Sequence, residues 1–343
     1  MVENKIPVTV ITGFLGSGKT TLLSALLKQK EMAQTAVIIN EFGEIGLDHT
    51  LIEHSEDNVM ELQSGCICCT IKGHLEQTLQ DLYNKRRRNE ITPFNRVVIE
   101  TTGLADPAPI INMLMTSQQM VNIYALDGVV TLVDAVNGAQ TLEIHPEALK
   151  QAAMADRLIL SKTDLVEQDV QDALIKCLQV MNPSAPILTK TDGDVAASEL
   201  FGATTYQLDD KTENVKEWLA MEQYETHHDH DHHHDVNRHS DNIHAFAMTI
   251  DEPVDKSAFS FFLDTLRESA GADLLRVKGI VNLGEGEPPV AIHGVQHVFH
   301  PPKWLDAWPD EDRRTKLVFI THNISKEQVE TYYQSLMQMR EGS

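Results

Sequence analysis

Short, nearly continuous apolar runs alternate with amphipathic stretches over the first two hundred residues of the chain. The runs at Val8–Gly13, Thr35–Asn40, Arg96–Thr101, Gly128–Asp134, Arg157–Ser161 and Pro186–Thr189 predict six strands. Between them, apolar residues recur at helical spacing, as in Thr20–Lys28 and His74–Arg87. Apolar strands without an alternating polar face, separated by helices, predict an α/β fold: a mostly parallel sheet covered by helices on both faces. The texture changes after Phe201. Residues 204–242 are polar and acidic, carry no periodicity, and read as a loop or disordered linker. Regular patterning resumes at Ile243. Four strand patterns, IHAFAMTI, LLRVKGIVNL, PVAIHGVQHVF and KLVFITHNI, and two helical ones, Lys256–Ser269 and Lys326–Met339, predict a small α+β domain. The expected organisation is therefore 1–203, 204–242 and 243–343.

Glycine placement gives the first region its chemistry. Gly13-Phe-Leu-Gly-Ser-Gly-Lys-Thr20 fits the pattern G-x-x-x-x-G-K-[ST], and it follows the strand VTVIT and precedes the helix TLLSALLK. That context predicts a phosphate-binding P-loop, in which Gly13, Gly16, Ser17, Gly18, Lys19, Thr20 and Thr21 surround the phosphates. The glycines let backbone N–H groups turn inward, and the helix N-terminus adds a favourable dipole. Lys19 is expected to reach the β- and γ-phosphates, and Thr20 to hold Mg²⁺. In Val97-Val-Ile-Glu-Thr-Thr-Gly103 an apolar strand ends in an acid and then a glycine. Glu100 is thus a second candidate for Mg²⁺, and the Gly103 N–H a candidate contact for the γ-phosphate. Ser161-Lys-Thr-Asp164 follows the strand RLIL. The Asp164 carboxylate can accept two N–H groups of guanine while the Lys162 stem lies against the purine, which predicts GTP and GDP as ligands. Ser161 stands where such loops usually carry Asn.

Three of the four cysteines fall within four residues, Cys66, Cys68 and Cys69. Cysteines this close do not form a disulfide framework. They read as a reduced cluster for a thiophilic ion, with Cys66 and Cys69 as a C-x-x-C pair and Cys68 as a third or exchanging ligand. Glu41, Glu44, His49, His54, His74 or water would complete the site. Glu41 has three readings: Mg²⁺ shell, positioning of the attacking water, or transition-metal ligand. Structural zinc and a redox or buried cluster are the other readings of the cysteines. Cys177 reads as a core residue of a helix.

The tract from His227 to Asp235 interleaves His227, His228, His230, His232, His233 and His234 with carboxylates. Such tracts take up Zn²⁺, Ni²⁺, Co²⁺ or Cu²⁺ with little selectivity, as a weak auxiliary site, although a tolerated low-complexity loop has the same composition. His293, His297 and His300 read as strand or loop residues, and Met113, Met115 and Met120 as core.

The remaining composition excludes more than it assigns. At 343 residues the chain exceeds the ~150 expected of one domain. A formal net charge of −23 argues against a nucleic-acid partner, and the run Lys85–Arg88 reads as a solvated helix end. The first residues have no signal-peptide pattern, and no apolar run reaches the ~18 residues of a membrane span. The cysteine usage and these absences lead to an expected cytoplasmic location.

GFLGSGKTT, NEFGEIGLD, GCICCT, VVIETTGLADP and SKTD, in this order, resemble the CobW-type GTPases, metallochaperone-like relatives of the nickel-inserting urease and hydrogenase accessory GTPases. RVKGIV and KLVFITHN resemble the family's C-terminal domain. The resemblance implies that the cysteines form the internal metal site, and that the His-rich loop belongs with zinc-linked members. Motifs and resemblance together lead to an expectation of GTP hydrolysis with Mg²⁺, Lys19, Glu100 and Glu41 in catalysis, and delivery of a transition metal, Zn²⁺ first, to a metal-requiring client protein. No arginine finger is identifiable, so slow intrinsic turnover is expected. Zinc or cobalt storage or sensing regulated by GTP, and cobalt insertion for cobalamin or a metalloenzyme, are the alternatives. A homodimer is compatible with the sequence.

Overall fold

The computed structural model describes residues 5–39, 59–61, 70–189, 195–202, 243–284 and 286–341, with the backbone alone for 59–61, 70–74 and 339–341. The chain divides into two compact units, Met1–Lys176 with Pro186–Tyr206, and Cys177–Ala185 with Gln207–Ser343.

The first unit holds β1 (Ile6–Gly13), α1 (Lys19–Leu26), β2 (Thr35–Ile39), β3 (Val59–Glu61), α2 (Thr70–Arg87), β4 (Arg96–Glu100), α3 (Ala108–Thr116), α4 (Met120–Ile123), β5 (Tyr124–Asp134), α5 (Gly138–Ile144), α6 (Pro146–Ala153), β6 (Arg157–Ser161), the part of α7 (Gln168–Met181) up to Lys176, β7 (Ile187–Thr189) and α8 (Ala197–Leu200). The seven strands form one parallel sheet in the order β3-β2-β4-β1-β5-β6-β7. All six expected strands are present. The seventh, β3, was not expected: three residues are too few to register as an apolar run. The strand expected at Gly128 begins at Tyr124, because its first residues pair with Ile6, Pro7 and Val8 of β1.

Both sheet faces are covered, which explains why the strands read as continuous apolar runs rather than alternating ones. On one face Ile11, Val37, Val98, Val130 and Leu132 meet Leu22, Leu23 and Leu26 of α1. On the other, α6 packs on β1 and β5, and α3 on β5. Full burial of a Leu side chain stabilises by roughly 1.5–3 kcal/mol, so the three leucines of α1 hold the loop ahead of it against the sheet. Met113 and Met120 are core residues as expected; Met115 is only half-buried. Cys177 is half-buried rather than a core residue, since it lies on α7 beside the inward-facing Leu178 instead of in line with it. Burial pushes its thiol pKa upward. The basic run ends α2 as expected, but Arg86 turns back to donate from Nε to the Phe94 carbonyl at 2.7 Å.

The second unit contains β8 (Ile243–Ile250), α9 (Lys256–Ala270), β9 (Arg276–Val281), β10 (Val290–Val295), β11 (Val298–Phe299), β12 (Lys303–Trp304), β13 (Thr315–His322) and α10 (Lys326–Glu341). Its sheet runs β11-β10-β9-β13-β8, with β12 also paired to β10, and its pairs are antiparallel. Four strands were expected here, and the described residues form six. PVAIHGVQHVF reads as one strand but folds as a hairpin, β10 and β11, because Gln296 adopts a left-handed φ of 51° and turns the chain back. Phe259, Phe262 and Leu266 of α9 and Val329 and Tyr333 of α10 pack on Phe246, Met248, Val277, Leu317 and Phe319 of the sheet. His293 and His300 are buried with ring centroids 5.2 Å apart, on β10 and just beyond β11. Among the described residues no helix is long and apolar enough to cross a membrane.

Candidate nucleotide site

The strand order brings four carboxyl-terminal strand ends side by side. In the sequence β4-β1-β5-β6, register pairs Ile11 with Glu100, Gly13 with Leu132, and Asp134 with Ser161. The chain crosses from β1 to β2 on one side and later from β4 to β5 on the other side of β1, and this switch point is where open α/β sheets place ligands.

Gly13, at φ 142°, ends β1 so close to β5 that an added Cβ would lie 2.4 Å from the Leu132 carbonyl oxygen. Gly16 and Gly18, at φ 73° and 92°, supply the two left-handed turns that carry the loop into α1. The Gly18–Leu22 backbone bond then starts the helix. Phe14 stacks on His145 at 4.4 Å between centroids. Lys19, largely buried, folds its ammonium back to donate to the carbonyls of Gly13 at 2.8 Å and Phe14 at 3.1 Å. Thr20 Oγ1 donates to Glu100 Oε1 at 2.7 Å. Thr21 is exposed in the first helical turn.

After β4, Thr101 bonds β1 twice: its N–H donates to the Ile11 carbonyl and its hydroxyl to Thr12 Oγ1. Gly103 then approaches the loop so closely that a Cβ would lie 2.6 Å from the Leu15 nitrogen, so no other residue fits there without displacing backbone.

The turn after β6 is fastened to the same loop. Ser161 is fully buried and its hydroxyl donates to the Ser17 carbonyl at 2.7 Å. Lys162 adopts a left-handed φ of 56°, and its ammonium meets Asp134 Oδ2 at 2.7 Å. Asp164 is exposed in the short 3-10 turn Thr163–Leu165.

Asp134 was not singled out from the sequence. It ends β5 as Glu100 ends β4, and an acid closing an apolar strand is the signal that was there to read. Burial works against its charge, but the Lys162 ammonium, the Asn137 amide and the Val136 N–H together hold its pKa below the usual carboxylate range. Gln151, on α6, was also missed, since a lone Gln in a helix carries no signal of its own. Behind the loop, Phe14, Leu15, Ser17, Asp134, Gly138 and Gln151 line a cavity of about 170 Å³.

Gly13, Gly16, Ser17, Gly18, Lys19, Thr20, Glu100, Gly103 and Lys162 are thereby gathered into one locus, with Asp164 three residues past the bond that joins its turn to the loop. The metal-site expectations fall elsewhere. Glu41, Glu44, His49, His54, Cys66, Cys68, Cys69 and the tract His227, His228, His230, His232, His233 and His234 lie outside the described residues, as does the side chain of His74. Among the described residues no group of three or more His, Cys, Asp and Glu is placed to hold a metal ion.

Residues 7–189 match the CobW/HypB/UreG nucleotide-binding domain, and residues 243–336 match the cobalamin synthesis protein cobW C-terminal domain. The chain belongs to this family of P-loop proteins. It is 34% identical over 334 residues to the zinc chaperone YjiA of Escherichia coli, covering 97% of this chain and 99% of that protein. It is 28% identical to zinc-regulated GTPase metalloprotein activator 1 of Schizosaccharomyces pombe, over 94% and 83% of the two chains. The crystal structure of Zn(II)-bound YjiA GTPase superposes with a TM-score of 0.72 at 30% identity, covering 97% of this chain and 99% of that one.

Proposed function

We propose that this protein is a metal-binding GTPase that couples GTP binding and hydrolysis to delivery of a transition metal, Zn²⁺ foremost, to a client protein. The observation that carries the nucleotide half is the Thr20–Glu100 pair at the mouth of the loop. A hydroxyl at the start of the loop's helix and a buried carboxylate at the adjacent strand end are the donor set of a Mg²⁺ held against phosphates. Mg²⁺ would supply charge neutralisation on the β- and γ-phosphates. Lys19 exchanges its two carbonyl partners for phosphate oxygens, and the backbone N–H groups of Gly13–Thr21 orient them. The Gly103 N–H meets the γ-phosphate. Asp164 reads guanine, and Lys162, held by Asp134, lies along the base. Intrinsic hydrolysis is expected to be slow.

The metal half rests on the GCICC motif and on the similarity to the zinc chaperone of Escherichia coli and the zinc-regulated activator of Schizosaccharomyces pombe. Cys66, Cys68 and Cys69 hold the ion as cargo, with Glu41 as a further donor, and the His-rich tract gathers metal weakly nearby. The cysteines fall between the loop and Glu100 in sequence, the interval that responds to the γ-phosphate in P-loop GTPases. GTP would order that interval and raise metal affinity, and hydrolysis would lower it. Coupling between sites is reciprocal and typically ~1–3 kcal/mol, a change of roughly 5- to 150-fold.

The test is a Zn²⁺ competition titration on protein lacking residues 226–239, with Mg²⁺ and a non-hydrolysable GTP analogue, GDP, or no nucleotide. Tightest binding with the analogue is expected. Equal affinity in all three states would end the delivery mechanism.

A further inference from the structure

Gln151 sits on α6 with its side chain fully buried. Its amide nitrogen donates twice into the loop after β4, to the Gly103 carbonyl at 3.2 Å and the Ala105 carbonyl at 2.9 Å. Its own backbone carbonyl accepts from Thr131 Oγ1 at 2.8 Å, which fastens this turn of α6 to β5. The preceding residue, Lys150, reaches Asp106 at 3.8 Å, and Asp106 in turn accepts from the Ala108 N–H that opens α3. Two consecutive α6 residues therefore grip the four-residue stretch Gly103–Asp106, whose first member is pressed against Leu15 of the phosphate loop.

A fully buried amide is costly unless its polar atoms are matched. Here the amide nitrogen is matched and Oε1 has no partner among the described residues. An apolar side chain of the same length would fill the space without that penalty. What the glutamine adds is the pair of donors to the loop.

We infer that Gln151 is a positioning residue for GTP turnover. It holds the Gly103–Ala105 turn in the shape that keeps the Gly103 N–H at the phosphate loop. The γ-phosphate contact then forms without reordering the chain, as preorganised donors require. The inference rests on the reading of Gly103 as the γ-phosphate contact. It assigns Gln151 a role specific to the triphosphate, since GDP lacks the group that Gly103 would meet.

The experiment compares Gln151→Met with the unmodified full-length protein. Turnover with GTP, affinity for GDP, affinity for a non-hydrolysable GTP analogue and the melting temperature are measured together. Met matches the length of Gln but cannot donate. Expected are a kcat at least ~10-fold lower, analogue binding weakened at least ~5-fold, and GDP binding within about 2-fold of the unmodified protein, the scale of one lost net hydrogen bond or two. Equal weakening of GDP and analogue would mark Gln151 as merely structural and overturn the inference. So would an unchanged kcat with unchanged selectivity. If Gln151→Met does not fold, Gln151→Asn decides: its shorter amide keeps a polar group in place but cannot span both carbonyls. It should show the same selective loss, and unmodified selectivity and kcat in that variant would equally refute the role. Failure here with GTP turnover intact in the unmodified protein leaves the nucleotide site standing. Absence of GTP binding by the unmodified protein would instead sink the underlying reading.

Discussion

The Ser161 hydroxyl donates to the Ser17 carbonyl at 2.7 Å across 144 residues of sequence, with both residues buried. It ties the turn carrying Lys162 and Asp164 to the phosphate loop, so that groups on β6 and groups after β1 are held in one frame. Asn is the usual residue at this position in GTPases. Serine at this position provides one donor to the loop backbone.

Ser161→Ala should therefore loosen both loops. It leaves a buried carbonyl without its donor, which costs about 1–3 kcal/mol. A lower melting temperature and a weaker GDP affinity are expected together, measured by thermal unfolding and by nucleotide titration. Loss of stability with unchanged GDP affinity would show that the bond has no part in the site.

Lys19→Ala should abolish GTP hydrolysis and weaken triphosphate binding, because the ammonium offsets charge on the β- and γ-phosphates. The ammonium donates to the carbonyls of Gly13 and Phe14 within the loop itself, so thermal unfolding beside the assay separates lost catalysis from lost fold. Steady-state phosphate release is the readout, and unaltered turnover would refute the phosphate-site assignment.

Asp164→Asn should relax the preference for guanine. The carboxylate accepts two base N–H groups, and an amide cannot. Hydrogen bonds to charged groups are worth about 1.5–3 kcal/mol, so a loss of ~10-fold or more in GTP affinity is expected. Asp164 is exposed and outside the core, so the melting temperature of the free protein should hardly change. Competition between GTP and ATP measures the preference, and equal affinities for the two in the unmodified protein would refute the role of this turn.

Asp134 predicts an acid limb of stability. Its pKa in the folded protein lies below the ordinary carboxylate value, with Lys162, Asn137 and Val136 outweighing the effect of burial. A carboxyl with a lowered folded pKa contributes stability that is complete above its unfolded value, near ~3.9, and is lost as pH falls through the lowered one. Asp134→Asn should remove that contribution, so the difference in melting temperature between variant and parent should be largest at neutral pH and shrink on acidification. A difference independent of pH would exclude the carboxylate as its source.

The phosphate loop was legible in the sequence because it is local. Gly13 to Thr20 is one continuous stretch, and its strand, turn and helix follow from glycine freedom and apolar spacing alone. The apolar runs of β1, β2, β4, β5 and β6 were legible for a related reason: a strand buried on both faces needs no polar alternation. β3, with three residues, gave too little pattern, and the hairpin of β10 and β11 hides its turn in Gln296, a residue with no turn preference.

Other relationships that make the site are not local. Thr20 meets Glu100, Lys162 meets Asp134, and Gln151 meets Gly103 and Ala105 only because β4, β1, β5 and β6 lie side by side in that order and register. Sequence by itself determined which residue types stand at each strand end. Tertiary structure decided which of them touch, because a hydrogen bond across tens of residues depends on strand order, crossover and register, and local propensity encodes none of these.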